Sequence, residues 1–281
     1  RASFYPVSAM DAHSYDGRAR WIVAEKTLDL SIYHTMGITG ASNLTYPPLL
    51  PLGLALGYWT GAPEGKPIDS FYFAALLLAT FGILSRRLPR IGALLLTALV
   101  AAVPELWLHA SLCLTNLPAT AFLTAAFLPA ADVLSAEFES KPGDRRGGWI
   151  TAGLLLLFAA GIRADAVIPA AGLAILAAAV VWRRRSPAEA ITAVLCLIGP
   201  AILATLGWQS WLHHTLGTGS GTVFRASPVP DPALVREVAA AFASLLPNPE
   251  LTGWVMPVFV VGLAAGLAER KSGAATAVFR I

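Results

Sequence analysis

Two aspartates in the polar N-terminal segment are the first candidates for chemistry. Asp11 and Asp16 lie five residues apart in the run MDAHSYDGRARW, ahead of the long apolar stretches of the chain. A carboxylate in such a segment can act as a general base, deprotonating or orienting a hydroxyl nucleophile while charge develops at the carbon under attack. Most aspartates in polar segments are simply solvated. The pair therefore becomes a catalytic hypothesis only if the fold brings other polar groups to it.

A second set of polar residues lies where apolar segments begin or end. Glu105 and His109 are four residues apart, which places them on one face of a helix. Ionisable groups at membrane depth are functional candidates, although such a pair can also merely end a helix. The pair could also bind a divalent cation, but two ligands are too few to define a metal site. Asn116 opens the run NLPATAF and is either a substrate-binding amide or a helix N-cap with Pro118 in the first turn.

Arg163 and Asp165 stand between two apolar runs in the sequence GIRADAVIPA. This arginine departs from the otherwise one-sided distribution of basic residues along the chain. Its position requires an anionic partner, which is either Asp165 itself or a lipid phosphate. Both alternatives remain open at this point.

His213 and His214 follow Trp208 and Trp211 where an apolar run ends. The combination favours an aromatic and histidine belt at a membrane interface, with contact to a phosphate or a substrate sugar as the alternative. The sequence contains no glycine-rich phosphate loop before a helix, and it lacks CxxC, HExxH and GxSxG motifs. Nucleotide chemistry and hydrolytic triads therefore find no support.

Composition places these residues in a membrane protein. The chain has 281 residues, of which 56% are hydrophobic and only 13% charged, and soluble domains carry about a quarter charged residues. The charges are clustered, which leaves apolar runs of membrane-spanning length between them. The net charge of +3 comes from arginines in short loops, a topological pattern that does not suggest a nucleic-acid partner. We therefore predict an all-α, polytopic transmembrane helix bundle.

The predicted organisation separates a polar N-terminal region from this bundle. Residues 1–67 are expected to form an outer active-site loop with a short juxtamembrane helix at 47–60, and residues 68–281 the bundle with an outer loop at 208–250. Segment 47–60 would measure roughly 21 Å as a helix, too short for a hydrocarbon core of about 30 Å. The predicted spans are 68–85, 91–108, 115–136, 149–162, 166–182, 188–207 and 251–268.

The basic clusters predict the topology of these spans. Placing residues 86–90, 141–146, 183–185 and 270–271 on the cytoplasmic side is consistent through every intervening span. The candidate residues then lie on the outer face, provided that the short N-terminal apolar segment does not cross the membrane. The chain begins without a methionine or a signal peptide and stops just after a basic cluster. These ends favour a fragment truncated on both sides, missing a first membrane helix.

Four segments, taken in order, resemble a known superfamily: MDAHSYDGRARWI, TYPPLLPLGLALGYW, LTNLPATAFLTAAF and GIRADAVIPAAG. Together they are similar to the GT-C superfamily of membrane glycosyltransferases, on its bacterial branch near protein O-mannosyltransferases and lipid A aminoarabinose transferases. The resemblance implies transfer of a sugar from a polyprenyl-phosphate-linked donor to a lipid, glycan or protein acceptor. It also implies inversion at the anomeric carbon, at the outer face of the plasma membrane. Asp11 matches the first-loop acid taken as the base in that family, whereas Asn116 stands where an aspartate is usual.

The resulting hypothesis gives Asp11 and Asp16 a catalytic role. It requires no certain cofactor, since the family includes metal-dependent and metal-independent members. Two alternatives remain: a transporter or flippase, which would place ionisable residues near the bilayer midplane, and a non-catalytic relative acting as a lipid-binding or assembly subunit. The candidate residues for binding substrate or phosphate are Asn116, Arg163, Asp165, Glu105, His109, His213 and His214.

Overall fold

The structure, a computed structural model, covers most of the predicted bundle and two pieces of the N-terminal region. The predicted span 251–268 lies outside the described residues, as does nearly all of the predicted loop 208–250 beyond residue 216. The described residues are 10–28, 47–61, 67–86, 88–112, 114–139, 145–216, 236–237 and 240.

The described part of the chain is almost entirely helical and contains no strand, which confirms the predicted all-α class. One 3-10 turn, Ala164–Ala166, joins two of the helices. The α-helices are α1 Met10–Glu25, α2 Leu49–Trp59, α3 Pro67–Leu84, α4 Arg90–Ala101, α5 Pro104–Ser111, α6 Asn116–Glu139, α7 Arg145–Ile162, α8 Val167–Arg184 and α9 Pro187–Leu216.

Three stretches of the described chain are long and apolar enough to cross a membrane. They are Asn116–Leu134 in α6, Ala164–Arg184 ending in α8, and Pro187–Leu212 in α9. Large apolar side chains on these helices point outward, among them Ile175 and Leu203, each about 70% exposed. Such a surface suits lipid and would be costly in water, so the fold is that of a membrane protein.

The predicted span 91–108 is not one continuous helix. It is divided into α4 and α5, whose axes are bent by 61° at the break after Ala101. Pro104 begins α5, and Val103 before it is extended, with φ −65° and ψ 119°. Proline lacks an amide hydrogen and disfavours helical geometry in the residue before it. If the bent pair is a single span, the described chain has four.

Part of the polar N-terminal segment, predicted as a loop, folds into helix α1. Tyr15, Ala19 and Ile22 are buried along one side of it and pack against α2. Their spacing of four and three residues is that of a helical stripe. The many charged residues between them obscure this stripe in the sequence.

Small residues allow the bundle helices to approach closely. Helix α7 packs against α6 and α9, and its core is rich in alanine. A Cβ atom added to Gly148 would lie 2.3 Å from Val133 on α6, and one added to Gly153 would lie 1.8 Å from the carbonyl oxygen of Cys196 on α9. Close backbone contact through small residues is the usual way in which membrane helices associate.

The bundle has two chemically different ends. At the first end, which we call the site end, α6 and α8 begin and α7 and α9 finish. Helices α1 and α2 pack there in an apolar cluster with Ala119 and Ile162. The Arg18 guanidinium of α1 also lies 5.7 Å from the centre of the Trp208 ring. At the second, the basic end, Arg86 pairs with Asp132 at 2.8 Å. Among the described residues, Asn116 and Arg163 thus lie at the opposite end of the bundle from Arg86, Arg183 and Arg184.

Candidate functional site

Arg163 is the centre of a hydrogen-bonded cluster at the site end. It follows the last residue of α7 in an extended conformation, φ −140° and ψ 120°, which directs the chain into the 3-10 turn before α8. Its guanidinium donates to both carboxylate oxygens of Asp165, at 2.9 Å and 2.7 Å. It also donates to the Thr115 hydroxyl at 3.3 Å and to the side-chain oxygen of Asn116. Of the two anionic partners considered for Arg163, Asp165 and a lipid phosphate, the structure therefore contains the first.

The cluster continues from Asn116 toward the short helix α5. The Asn116 amide nitrogen lies 3.4 Å from Nε2 of His109. The same ring nitrogen lies 3.0 Å from a Glu105 carboxylate oxygen, as expected for residues four apart on a helix. Nε2 can form only one of these hydrogen bonds at a time, accepting from Asn116 or donating to Glu105. Five of the predicted site residues thus lie together in one network of contacts, although they come from three separate segments of the chain.

Thr115, which the sequence did not single out, belongs to this network. It immediately precedes α6 and its side chain is buried, so its hydroxyl provides Arg163 with a partner away from solvent. Asn116 is the first residue of α6, and its side-chain oxygen is occupied by Arg163 across 47 residues of sequence. The side-chain amide of Asn116 therefore connects the start of α6 to Arg163, which a residue that only capped its own helix would not do.

An open pocket of about 270 Å³ lies beside Arg163. Asn116, Thr120, Arg163 and Asp165 form its polar side, at the first turn of α6 and the turn before α8. Its remaining walls are apolar and lead away from the charged pair between α6 and α8. They consist of Ala119, Leu123, Ala166 and Pro169.

Asp16 belongs to a different cluster, between α1 and α2. Its carboxylate accepts hydrogen bonds from Nε of Arg20 at 2.9 Å and from the Tyr58 hydroxyl, and the residue is only 8% exposed. Burial raises the pKa of Tyr58 well above its usual range, and the hydrogen bond to Asp16 is the second-largest cause of this rise. The hydrogen bond to Asp16 also raises the pKa of Arg20. This arrangement fastens α1 to α2, and the Arg20 guanidinium lies 4.9 Å from the Tyr58 ring centre.

Asp11 lies in the first turn of α1, and its side chain falls outside the described residues. At 3.6 residues per turn, positions 11 and 16 are about 140° apart around the helix axis. The two aspartates therefore do not share a face of α1. The pairing assumed from their spacing in a loop is not preserved in the helix.

Among the described residues, His214 near the end of α9 is not joined to the Arg163 network. His214 is exposed in the last turn, and the side chain of His213 falls outside the described residues. Just before them, the Trp208 and Trp211 rings stack with centres 4.7 Å apart. Trp208 is buried beneath Arg18 of α1, so the stacked pair is a packing contact, and the aromatic belt stays a prediction.

The described part of the chain offers few side chains that could together bind a metal ion. No group of three or more His, Cys, Asp or Glu side chains with suitable spacing is found there. Glu105 and His109 are paired with each other, so they would have to separate to hold a cation.

Comparison with protein-family models, with curated proteins and with solved structures finds no match for this chain.

Proposed function

We propose that this protein is a membrane glycosyltransferase that moves a sugar from a polyprenyl-phosphate-linked donor to a lipid, glycan or protein acceptor. The observation that carries the proposal is the pocket beside Arg163, which combines hydrogen-bonding side chains with an apolar groove between α6 and α8. A polar head and a hydrocarbon tail on one molecule require such a combination. The order of the motifs and their resemblance to the GT-C superfamily supply the reaction class.

The location of the pocket supports a lipid-borne donor. It lies at one end of helices that are long enough to span a bilayer, and α8 presents exposed apolar side chains such as Ile168 and Ile175 beside it. An isoprenoid chain could remain in hydrocarbon while the sugar that it carries enters the pocket. With the basic end on the cytoplasmic side, the reaction would take place at the outer face of the plasma membrane.

The proposed chemistry is a direct displacement at the anomeric carbon. Asp11 accepts the proton of the acceptor hydroxyl as the new bond from oxygen to carbon forms. The bond from that carbon to the phosphate oxygen breaks, and polyprenyl phosphate leaves with the electron pair. The positions of Asp16 and Tyr58 suggest a positioning role, in which they hold α1 at the site end so that Asp11 is presented there.

The distribution of charge favours this proposal over a transporter. Transporters commonly place ionisable groups near the middle of their spans. In the described apolar helices such groups occur toward the ends, as with Asp69 in the first turn of α3 and Asp132 at the basic end of α6. The midsections of α8 and α9 contain none.

Substitution of Asp11 tests the proposal. In the purified protein reconstituted with a synthetic polyprenyl-phosphate sugar and acceptor, Asp11→Asn should reduce the transfer rate by about 10²–10⁴-fold, the usual contribution of a general base. Asp132→Asn, at the basic end, is the matched control and should leave the rate unchanged. Transfer by Asp11→Asn at the original rate would remove Asp11 from the mechanism, and no transfer by the unmodified protein with any such donor would refute the proposed activity.

A further inference from the structure

The charges beside the pocket restrict the ligand that it can hold. Among the described residues that line it, one is a cation, Arg163, and one is an anion, Asp165. They are already joined by two hydrogen bonds, and a further guanidinium nitrogen of Arg163 donates to Thr115 and Asn116. A phosphate entering the pocket would have to displace Asp165 or lie against its carboxylate, and like charges at contact repel strongly.

A neutral, hydroxyl-bearing group meets no such conflict. The Asp165 side chain is 53% exposed, and a carboxylate has about four lone-pair sites, of which Arg163 occupies only two. Asp165 can therefore accept hydrogen bonds from sugar hydroxyls while it remains paired. The Thr120 hydroxyl lines the same side of the pocket and can accept another.

The size and walls of the pocket agree with this ligand. Its volume of about 270 Å³ lies just below the roughly 300–1,000 Å³ of sites for drug-sized ligands, which suits a single sugar ring. Leu123 and Pro169 provide apolar surface against which the C–H face of a sugar ring or the first part of an alkyl chain can pack.

We propose that the pocket between α6 and α8 binds the neutral glycosyl group of an amphiphile and discriminates against its phosphate, with Asp165 as the residue that determines this specificity. This inference rests on the proposed function for the identity of the amphiphile as a sugar donor. It differs from the expectation that Arg163 holds the phosphate, because Asp165 neutralises that arginine.

Two probes with the same alkyl chain test the inference. The protein in phosphatidylcholine nanodiscs is labelled with a photoreactive dodecyl glucoside, and the label is mapped to residues 116–123 and 163–169. Unlabelled dodecyl glucoside and monododecyl phosphate then compete for labelling. In the unmodified protein, the glucoside should compete more strongly than the phosphate.

Asp165→Asn should shift the two probes in opposite directions. Loss of charge-assisted hydrogen bonds should weaken competition by the glucoside about tenfold, and removal of the repelling carboxylate should strengthen competition by the phosphate. Asp132→Asn removes the partner of Arg86 at the basic end and should change neither. Stronger competition by phosphate in the unmodified protein, or equal weakening of both probes by Asp165→Asn, would overturn the inference.

A second variant guards against a folding defect in Asp165→Asn. Thr120 is an exposed residue on the pocket rim, so Thr120→Trp should fill the pocket and abolish labelling of residues 116–123 without disturbing the core. Undiminished labelling in Thr120→Trp would overturn the inference. The labelling experiment measures binding and does not require sugar transfer. If the protein binds the glucoside but shows no transfer activity, this result would support the proposed binding site and count against the proposed function.

Discussion

Helix packing around Gly153 gives the most direct test of the fold. This residue lies on α7 where α9 crosses it, and a Cβ atom built there would lie 1.8 Å from the carbonyl oxygen of Cys196. Side-chain Cβ atoms essentially never approach other atoms closer than 3.0 Å, so Gly153→Ala would have to move the helices apart by about 1.2 Å (3.0 − 1.8 Å). The obstacle is backbone, and it cannot rotate away.

The expected loss of stability follows from this displacement. Overpacked cores commonly lose about 1–3 kcal/mol, and separating α7 from α9 would also loosen the buried contacts of Leu156 and Leu197. We therefore expect Gly153→Ala to lower the free energy of unfolding by about 3 kcal/mol. The gain in helix propensity from glycine to alanine, about 1 kcal/mol, only partly offsets this loss.

The assay is reversible unfolding in mixed micelles, with increasing sodium dodecyl sulfate and tryptophan fluorescence as the signal. Gly172→Ala on α8 is the matched control, because nothing lies within 4 Å of an added Cβ atom there. It should leave stability unchanged or raise it by up to about 1 kcal/mol. Equal stability of the Gly153 and Gly172 variants would refute the close approach of α7 and α9.

Two further predictions concern α2 and the bend before α5. Because burial raises the pKa of Tyr58, the folded protein keeps this phenol protonated after the unfolded chain ionises at about pH 10, and stability should therefore fall as the pH rises above about 10. Tyr58→Phe should show a smaller fall and should lose about 1–3 kcal/mol at neutral pH. Unfolding at stepped pH measures both effects. Pro104→Ala restores an amide hydrogen and allows Val103 to become helical, so it should lessen the 61° bend between α4 and α5. The distance between spin labels at positions 94 and 108 should then increase. An unchanged distance would show that packing alone sets the bend.

Much of the helical architecture could be predicted from the sequence, because each helix is specified locally. Apolar runs between clustered charges indicate α6, α8 and α9 without reference to any other part of the chain. Helix α1 was missed because its buried stripe has only three members and charged residues surround it. The break at Pro104 was missed because the hydrophobic run continues on both sides of the proline.

The candidate site was predictable as a set of residues and less so as an arrangement. Polar side chains at the ends of apolar runs identified Asn116, Arg163 and Asp165 individually. Their spacing contained no information about the hydrogen bond that joins Arg163 to Asn116 across 47 residues. Asp16 was taken as a catalytic partner of Asp11, but in the structure Tyr58, 42 residues away, occupies one of its oxygens.

The amino-acid sequence by itself determined that this is an all-helical membrane protein with basic residues at one end of its spans and unusual polar residues at the other. Hydrophobicity and charge act through the local environment of each segment, so they need no knowledge of its neighbours. Only the tertiary structure decided which polar groups meet, because glycine and alanine contacts such as Gly153 with Cys196 set how the helices align. That alignment places Asp165 and Asn116 around Arg163, and it makes the pocket beside them nearly neutral.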